Sequence, residues 1–176
     1  MPKIDESRPF IPVNIAVMTV SDTRTFEDDK SGDTLADRVK GAGHNVADRV
    51  IVKDDKASIT KQLETWIESE DVDVVISTGG TGITGRDITP ECFEAQYTKT
   101  IPGFGELFRM LSYDLIGTST IQSRATGGIA KTTLLFALPG STGAVKDGWD
   151  KILVTQLDNR FRPCNFVELM PRFGEK

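Results

Sequence analysis

Histidine and cysteine are scarce in this 176-residue chain, and their scarcity removes whole classes of chemistry. His44 is the single histidine, so a Ser-His-Asp centre or a histidine-built metal site would rest on that one residue. It stands in Gly41-Ala-Gly-His44-Asn45, the setting of a helix-to-strand turn, and is read as a turn residue. The two cysteines, Cys92 and Cys164, lie far apart without a neighbour at metal-ligand spacing, which predicts reduced, partly buried thiols. Basic residues are outnumbered: 21 Lys and Arg against 26 Asp and Glu leave a formal net charge of −5, the wrong sign for gripping a phosphate backbone. Nucleic acid is therefore not expected as a partner. Long apolar runs are missing as well. Met1 to Pro12 mixes Lys3, Asp5, Glu6 and Arg8 with prolines, and no later run reaches membrane-spanning length, so the expectation is a cytoplasmic protein without a membrane partner.

What is present is an ordinary globular composition, 38% hydrophobic and 27% charged, in a chain long enough for one domain. Val13 to Val20 is apolar with little alternation, the pattern of a strand covered on both faces. A polar loop from Ser21 to Ser31 follows, then a helix over Thr34 to Lys40, a strand over Val46 to Val52, and a helix with Ser58 as its N-cap and Ile59, Leu63, Trp66 and Ile67 on one face. Asp73 to Ser77 is a third strand. This βαβαβ order implies a mostly parallel sheet. Further on, Thr89-Pro90-Glu91 opens a short helix through Tyr97, with Thr89 as cap and Pro90 first in the helix. Phe104, Leu107, Phe108, Leu111 and Leu115 form an apolar stripe that is core or subunit contact. Thr132 to Leu138 is another buried strand, and Ser141 begins a helix toward Trp149.

Two glycine-rich segments follow apolar strands, Ser77-Thr-Gly-Gly-Thr-Gly82 and Leu138-Pro-Gly-Ser-Thr-Gly143. In open α/β sheets such places bind ligands, because glycine lets the backbone approach an anion, and Thr78, Thr81, Ser141 and Thr142 can donate to phosphate oxygens. Gly80, Gly82 and Gly85 spell a nominal dinucleotide fingerprint, but Pro90 would break the helix it requires, and Glu106 falls in the apolar-striped segment. The same loop nearly spells a Walker A motif, with Arg86 and Asp87 replacing its Lys and Ser/Thr. Asp87 is close enough to share the loop's ligand, and Asp54-Asp55 should emerge at the same sheet edge. Carboxylates beside bound phosphates call for a cation, and Mg²⁺ prefers oxygen ligands. A Mg-nucleotide site is the reading for these residues, and a solvated turn is the alternative.

Together, Ser77-Thr-Gly-Gly-Thr-Gly82, Arg86-Asp-Ile-Thr-Pro-Glu91, Pro102-Gly-Phe-Gly-Glu106 and Leu138-Pro-Gly-Ser141 closely resemble the MoaB/MogA molybdenum cofactor biosynthesis family. Ser21-Asp-Thr-Arg24, Thr118 to Arg124 and Arg162-Pro-Cys-Asn-Phe166 are most similar to the MoaB branch. The resemblance implies a three-layer αβα sandwich with a mostly parallel sheet over residues 12–166, flanked by an N-terminal extension (1–11) and a C-terminal tail (167–176). It implies homo-oligomers, trimers or a hexameric dimer of trimers, and contact with other proteins of the pathway. It also implies a reaction in which molybdopterin and ATP give adenylylated molybdopterin and pyrophosphate. On this basis Asp54 and Asp87 are the candidate catalytic and Mg²⁺-binding residues, with the binding loop at Gly79, Gly80, Thr81 and Gly82. Ser21, Thr78, Ser119, Arg124, Pro139, Gly140 and Ser141 are the further candidate ligand contacts. Asp54 and the complete Arg86 to Glu91 string favour adenylyl transfer. A non-catalytic member that binds molybdopterin or a nucleotide, ATP or GTP, is the alternative.

Overall fold

The computed structural model describes residues 1–175. In chain order it contains β1 (Lys3–Ile4), β2 (Asn14–Val20), α1 (Lys30–Gly41), β3 (Asn45–Val52), α2 (Lys56–Ile67), β4 (Val74–Thr78), α3 (Thr89–Glu94), β5 (Lys99–Thr100), α4 (Pro102–Ile116), β6 (Thr126–Ala130), β7 (Thr133–Leu138), α5 (Thr142–Gly148), α6 (Val154–Gln156) and β8 (Phe161–Arg162). The main sheet has six strands in the order β3-β2-β4-β7-β6-β5. β3, β2, β4 and β7 run parallel, and β6 pairs antiparallel with both β7 and β5. The chain leaves β2 first toward β3 and later toward β4, so the strand order reverses beside β2, which is where such sheets open a crevice at their carboxyl edge.

Side chains alternate between the two faces of each strand. Ile15, Val17, Val74, Ile76, Leu134 and Phe136 pack beneath α1, α4 and α5, together with Trp149 and Leu153. Ala16, Met18, Val75, Leu135 and Ala137 pack against Ile59, Leu63 and Trp66 of α2 and Phe93 of α3. Both faces are covered, which is why the apolar runs lack polar alternation. The result is the three-layer αβα fold with a mixed, mostly parallel sheet.

Several local expectations are corrected. Asp55, not Ser58, caps α2: one carboxylate oxygen accepts from the Ser58 N–H and the other from its hydroxyl, both at 2.8 Å. That carboxylate is consumed by the helix, and Asp54 alone faces the sheet edge. α1 begins at Lys30, four residues early, because the buried Asp29 accepts from the Gly32 N–H at 3.0 Å and from the Thr19 hydroxyl at 2.6 Å. Ile88 occupies the cap position of α3, with no side-chain bond to the free amides, and the helix ends at Glu94 rather than Tyr97. Cys92 is buried, but Cys164 is exposed. The hairpin of β6 and β7 was not anticipated from the sequence.

α4 lies close against the entry to β6. A Cβ on Gly105 would stand 2.4 Å from the Ala125 carbonyl, so glycine is required for this approach. Residues near the N-terminus pack on the far end of the chain: Lys3 pairs with Arg162, Ile4 with Phe161, and Arg8 bonds Glu168 at 2.6 Å. No helix among the described residues is long and apolar enough to cross a membrane.

Candidate functional site

The two glycine loops leave neighbouring parallel strands, β4 and β7, at paired residues Thr78 and Leu138. Two bonds join them directly: the Gly79 N–H donates to Leu138 O, and the Thr78 hydroxyl donates to Pro139 O, each at 3.0 Å. Gly79 has φ +107°, and a Cβ there would stand 2.4 Å from Val20 O; Gly80 follows at φ +65°. Both positions demand glycine. Ser141 then caps α5, its hydroxyl oxygen accepting from the Ala144 N–H at 3.1 Å.

These loops line a cleft of about 680 Å³, within the range of small-molecule sites. Gly80, Thr81, Gly82, Pro139, Gly140 and Ser141 contribute backbone and hydroxyl groups. Phe108, Leu115 and Ile116 of α4 give it an apolar side alongside Ser112, and Ser119 and Gln122 of the 3₁₀ segment Gly117–Gln122 add polar groups. Ser123 and, from α5, Gly143, Ala144 and Asp147 complete the lining, and Asp87 reaches it beside Gly82. Gly85 sits in an exposed turn rather than a helix, so the dinucleotide and Walker arrangements have no counterpart.

Of the candidate residues, Gly80, Thr81, Gly82, Asp87, Ser119, Pro139, Gly140 and Ser141 therefore meet at one cleft. Ser21, Asp54, Thr78, Gly79 and Arg124 are outside that lining. Thr78 and Gly79 tie the loops together, as described. Ser21 closes the turn after β2, its hydroxyl accepting from the Thr23 and Arg24 amides at 3.3 and 3.2 Å. Arg124 clamps the first loop: Nε donates to Gly82 O at 2.7 Å, the two terminal nitrogens reach Asp87 O and the Glu91 carboxylate, and its N–H donates to Thr81 O at 3.0 Å.

The two carboxylates have opposite environments. Asp54 lies against Gly80, and its Oδ1 is buried without a hydrogen-bond partner. Burial, reinforced by the charges of Asp22 and Asp87, pushes its carboxyl above the usual value, with Arg86 pulling the other way. Asp87 is also raised by burial, but bonds from the Thr84 hydroxyl and N–H, the Gly82 N–H and the charge of Arg124 outweigh this and hold it low. Paired acids pushed apart in this manner can divide roles, one staying ionised and the other taking up a proton more readily.

Asp22, within Ser21-Asp-Thr-Arg24, carries no local motif that marks its role. One of its oxygens accepts from the Asp54 N–H at 3.1 Å and the other pairs with Arg86, so it joins the loops after β2, β3 and β4. The α4 side of the cleft was read only as core or contact surface, although the stripe through Phe108 and Leu115 was its signal. No group of three or more His, Cys, Asp or Glu side chains among the described residues is arranged for a metal ion. A divalent cation would thus draw on Asp54 and Asp87, completing its shell with phosphate and water oxygens as Mg²⁺ readily does. The unpartnered, buried Asp54 Oδ1 suits such an ion.

Comparison with known proteins identifies a family. Residues 16–159 match the family described as "Probable molybdopterin binding domain". Molybdenum cofactor biosynthesis protein B of Escherichia coli K12 is 52% identical over 160 residues, covering 91% of this chain and 94% of that protein. Its Bacillus cereus counterpart is 49% identical over 146 residues, 82% and 86% of the two chains. A crystal structure of a molybdenum cofactor biosynthesis protein B superposes with TM-score 0.86 at 42% identity, covering 96% of this chain and all (100%) of the other. The tungsten cofactor synthesizing protein MoaB from Pyrococcus furiosus gives TM-score 0.77 at 35% identity, covering 93% and 98%.

Proposed function

The chain belongs to the molybdopterin-binding domain family that includes the B proteins of molybdenum cofactor biosynthesis, and from that premise we propose that it serves this pathway by binding molybdopterin and a nucleotide at the cleft between its glycine loops. The two-sided lining of the cleft is the observation that carries the reading. The loops offer backbone and hydroxyl donors to anionic groups, and Phe108, Leu115 and Ile116 offer an apolar surface to a flat ring. Molybdopterin has both features, a pterin and a phosphate. Titration calorimetry with molybdopterin, and separately with Mg-ATP and Mg-GTP, tests the proposal. Absence of binding by molybdopterin and by both nucleotides would refute it. The reading carries with it the cytoplasmic location, homo-oligomeric assembly and pathway partners implied by the family resemblance.

Adenylyl transfer is the second reading, favoured by the buried, unpartnered Asp54 Oδ1 beside Gly80. Mg²⁺, held by Asp54 and Asp87, would neutralise charge on the nucleotide phosphates. The residues' own part is placement: the loop backbone aligns two anionic reactants, and Arg124 fixes the loop. Pyrophosphate release that requires both molybdopterin and Mg-ATP would establish this activity, and tight binding without release leaves the protein a binding member of the pathway.

A further inference from the structure

Thr89 is fully buried, yet its hydroxyl has no hydrogen-bond partner among the described residues. Its place at the start of α3 suggests helix capping, but Ile88 is the cap residue and no side chain bonds the helix's free amides. The backbone of Thr89 is nevertheless fixed to the binding loop, its N–H donating to Gly80 O at 3.0 Å. Gly80 also shows what surrounds the hydroxyl. A Cβ built on that glycine would stand 2.3 Å from Thr89 Oγ1 and 3.4 Å from Asp54 Oδ1, itself buried and unpartnered. A donor and an acceptor, both desolvated, therefore flank one point of the glycine loop.

Burying a hydroxyl without a partner is unfavourable, and valine would fill nearly the same volume without that penalty. Natural structures leave few such groups, and bonds of this kind often close only when the ligand is in place. We propose that Thr89 is a positioning residue: with ligand in the cleft its hydroxyl donates to Asp54 Oδ1, fixing the carboxylate while its N–H fixes Gly80. The inference rests on the proposed function above and adds a residue that the cleft lining does not contain.

Full-length wild type, Thr89→Val and Thr89→Ser are compared by thermal melting and by calorimetric titration with Mg-ATP and with molybdopterin. Thr89→Val should melt at or above the wild-type temperature, because a buried unpaired group has been removed. Its affinity for Mg-ATP should fall roughly 10- to 100-fold, the worth of a hydrogen bond to a charged group. Thr89→Ser, which keeps the hydroxyl, should bind within about threefold of wild type, well inside the loss expected for a missing charged bond. Wild-type affinity in the valine protein, or a serine protein as weak as valine, overturns the inference alone. A valine protein that melts well below wild type also overturns it, by making Thr89 structural. A wild type that binds neither probe, nor Mg-GTP in place of Mg-ATP, refutes the proposed function, and the role of Thr89 falls with it.

Discussion

The Nε of Arg124 donates to Gly82 O at 2.7 Å, tying the glycine loop to the segment that leads into β6. Arg124 also reaches Asp87 O and Glu91, so one guanidinium spans the loop, the candidate catalytic aspartate and the start of α3. Lysine cannot reproduce this fork. Arg124→Lys should weaken nucleotide affinity by roughly tenfold or more while costing about 1–2 kcal/mol of stability, the lower part of the range for charged bonds because the side chain is partly exposed. Calorimetry combined with hydrogen exchange at residues 80–88 would show it, and an unchanged loop exchange rate would count against the clamp.

Asp87→Asn separates charge from shape. The Thr84 N–H and hydroxyl both donate to the same Asp87 oxygen, at 2.8 and 2.7 Å, so an asparagine carbonyl oxygen can accept both. The loop should therefore keep its fold and molybdopterin affinity should change little. If Asp87 holds Mg²⁺ for adenylyl transfer, pyrophosphate release should fall by roughly 10²-fold. Undiminished release by a correctly folded variant would remove Asp87 from catalysis.

The glycines of the first loop are not equivalent. Gly80→Ala forces a side chain into φ +65° and brings Cβ to 2.3 Å from Thr89 Oγ1. A cost of about 2–4 kcal/mol is expected, combining left-handed strain with overpacking. Gly85 has open space around its would-be Cβ and no left-handed backbone. Gly85→Ala should be neutral or stabilise by up to about 1 kcal/mol. Denaturant unfolding of the two variants decides the point.

His44 should make stability sensitive to mild acid. Its Nδ1 accepts from the Val13 N–H at 3.2 Å, Nε2 is buried without a partner, and the ring packs 5.0 Å from Phe10. Burial holds its pKa below the ordinary 6.5, against an opposing pull from Asp158. The unfolded chain therefore binds the proton more readily. Stability is full above about pH 6.5, the unfolded-state value, and declines as pH falls below it until the folded group also protonates. His44→Asn retains an acceptor for Val13 and should flatten the profile between pH 7.5 and 5.5. An identical slope in wild type and variant would refute the assignment.

The exposed apolar face of α4 predicts self-association. Phe104 and Phe108 are buried, whereas Met110, Tyr113, Leu115 and Ile116 are exposed, and Ile121 just beyond them is 77% exposed. A monomer rarely leaves so much apolar surface in contact with water. From 19.3 kDa per chain, light scattering should report about 58 or about 116 kDa for a trimer or a dimer of trimers. Met110→Glu should lower that mass, and a monomeric wild type at micromolar concentration would contradict the expectation.

Periodicity made the strands and longer helices legible, because β2, β4 and β7 are buried on both faces and α2 on one. β6 was hidden by its composition, since Thr126-Gly-Gly-Ile-Ala carries two residues unsuited to strands. Their reason is three-dimensional: a Cβ on Gly127 would meet Phe136 at 2.8 Å, and one on Gly128 the Tyr97 ring at 2.5 Å. The cap of α2 was ambiguous because Asp55 and Ser58 are both good cap residues, and only the bond between them shows which one serves. Within the site, the glycine loops announced themselves by local motif. Asp22 did not, because its partners Asp54 and Arg86 are 32 and 64 residues away.

The two bonds from Gly79 to Leu138 O and from Thr78 to Pro139 O fasten the two glycine-rich turns to each other. The opposite boundary of the cleft is built differently: Phe108 and Ser112 of α4 are buried, but Leu115 and Ile116 are exposed, and no residue of the short 3₁₀ segment Gly117–Gln122 is buried. Substitution of Ser119 or Gln122 would therefore reshape this rim while leaving the bonds between the two glycine loops intact.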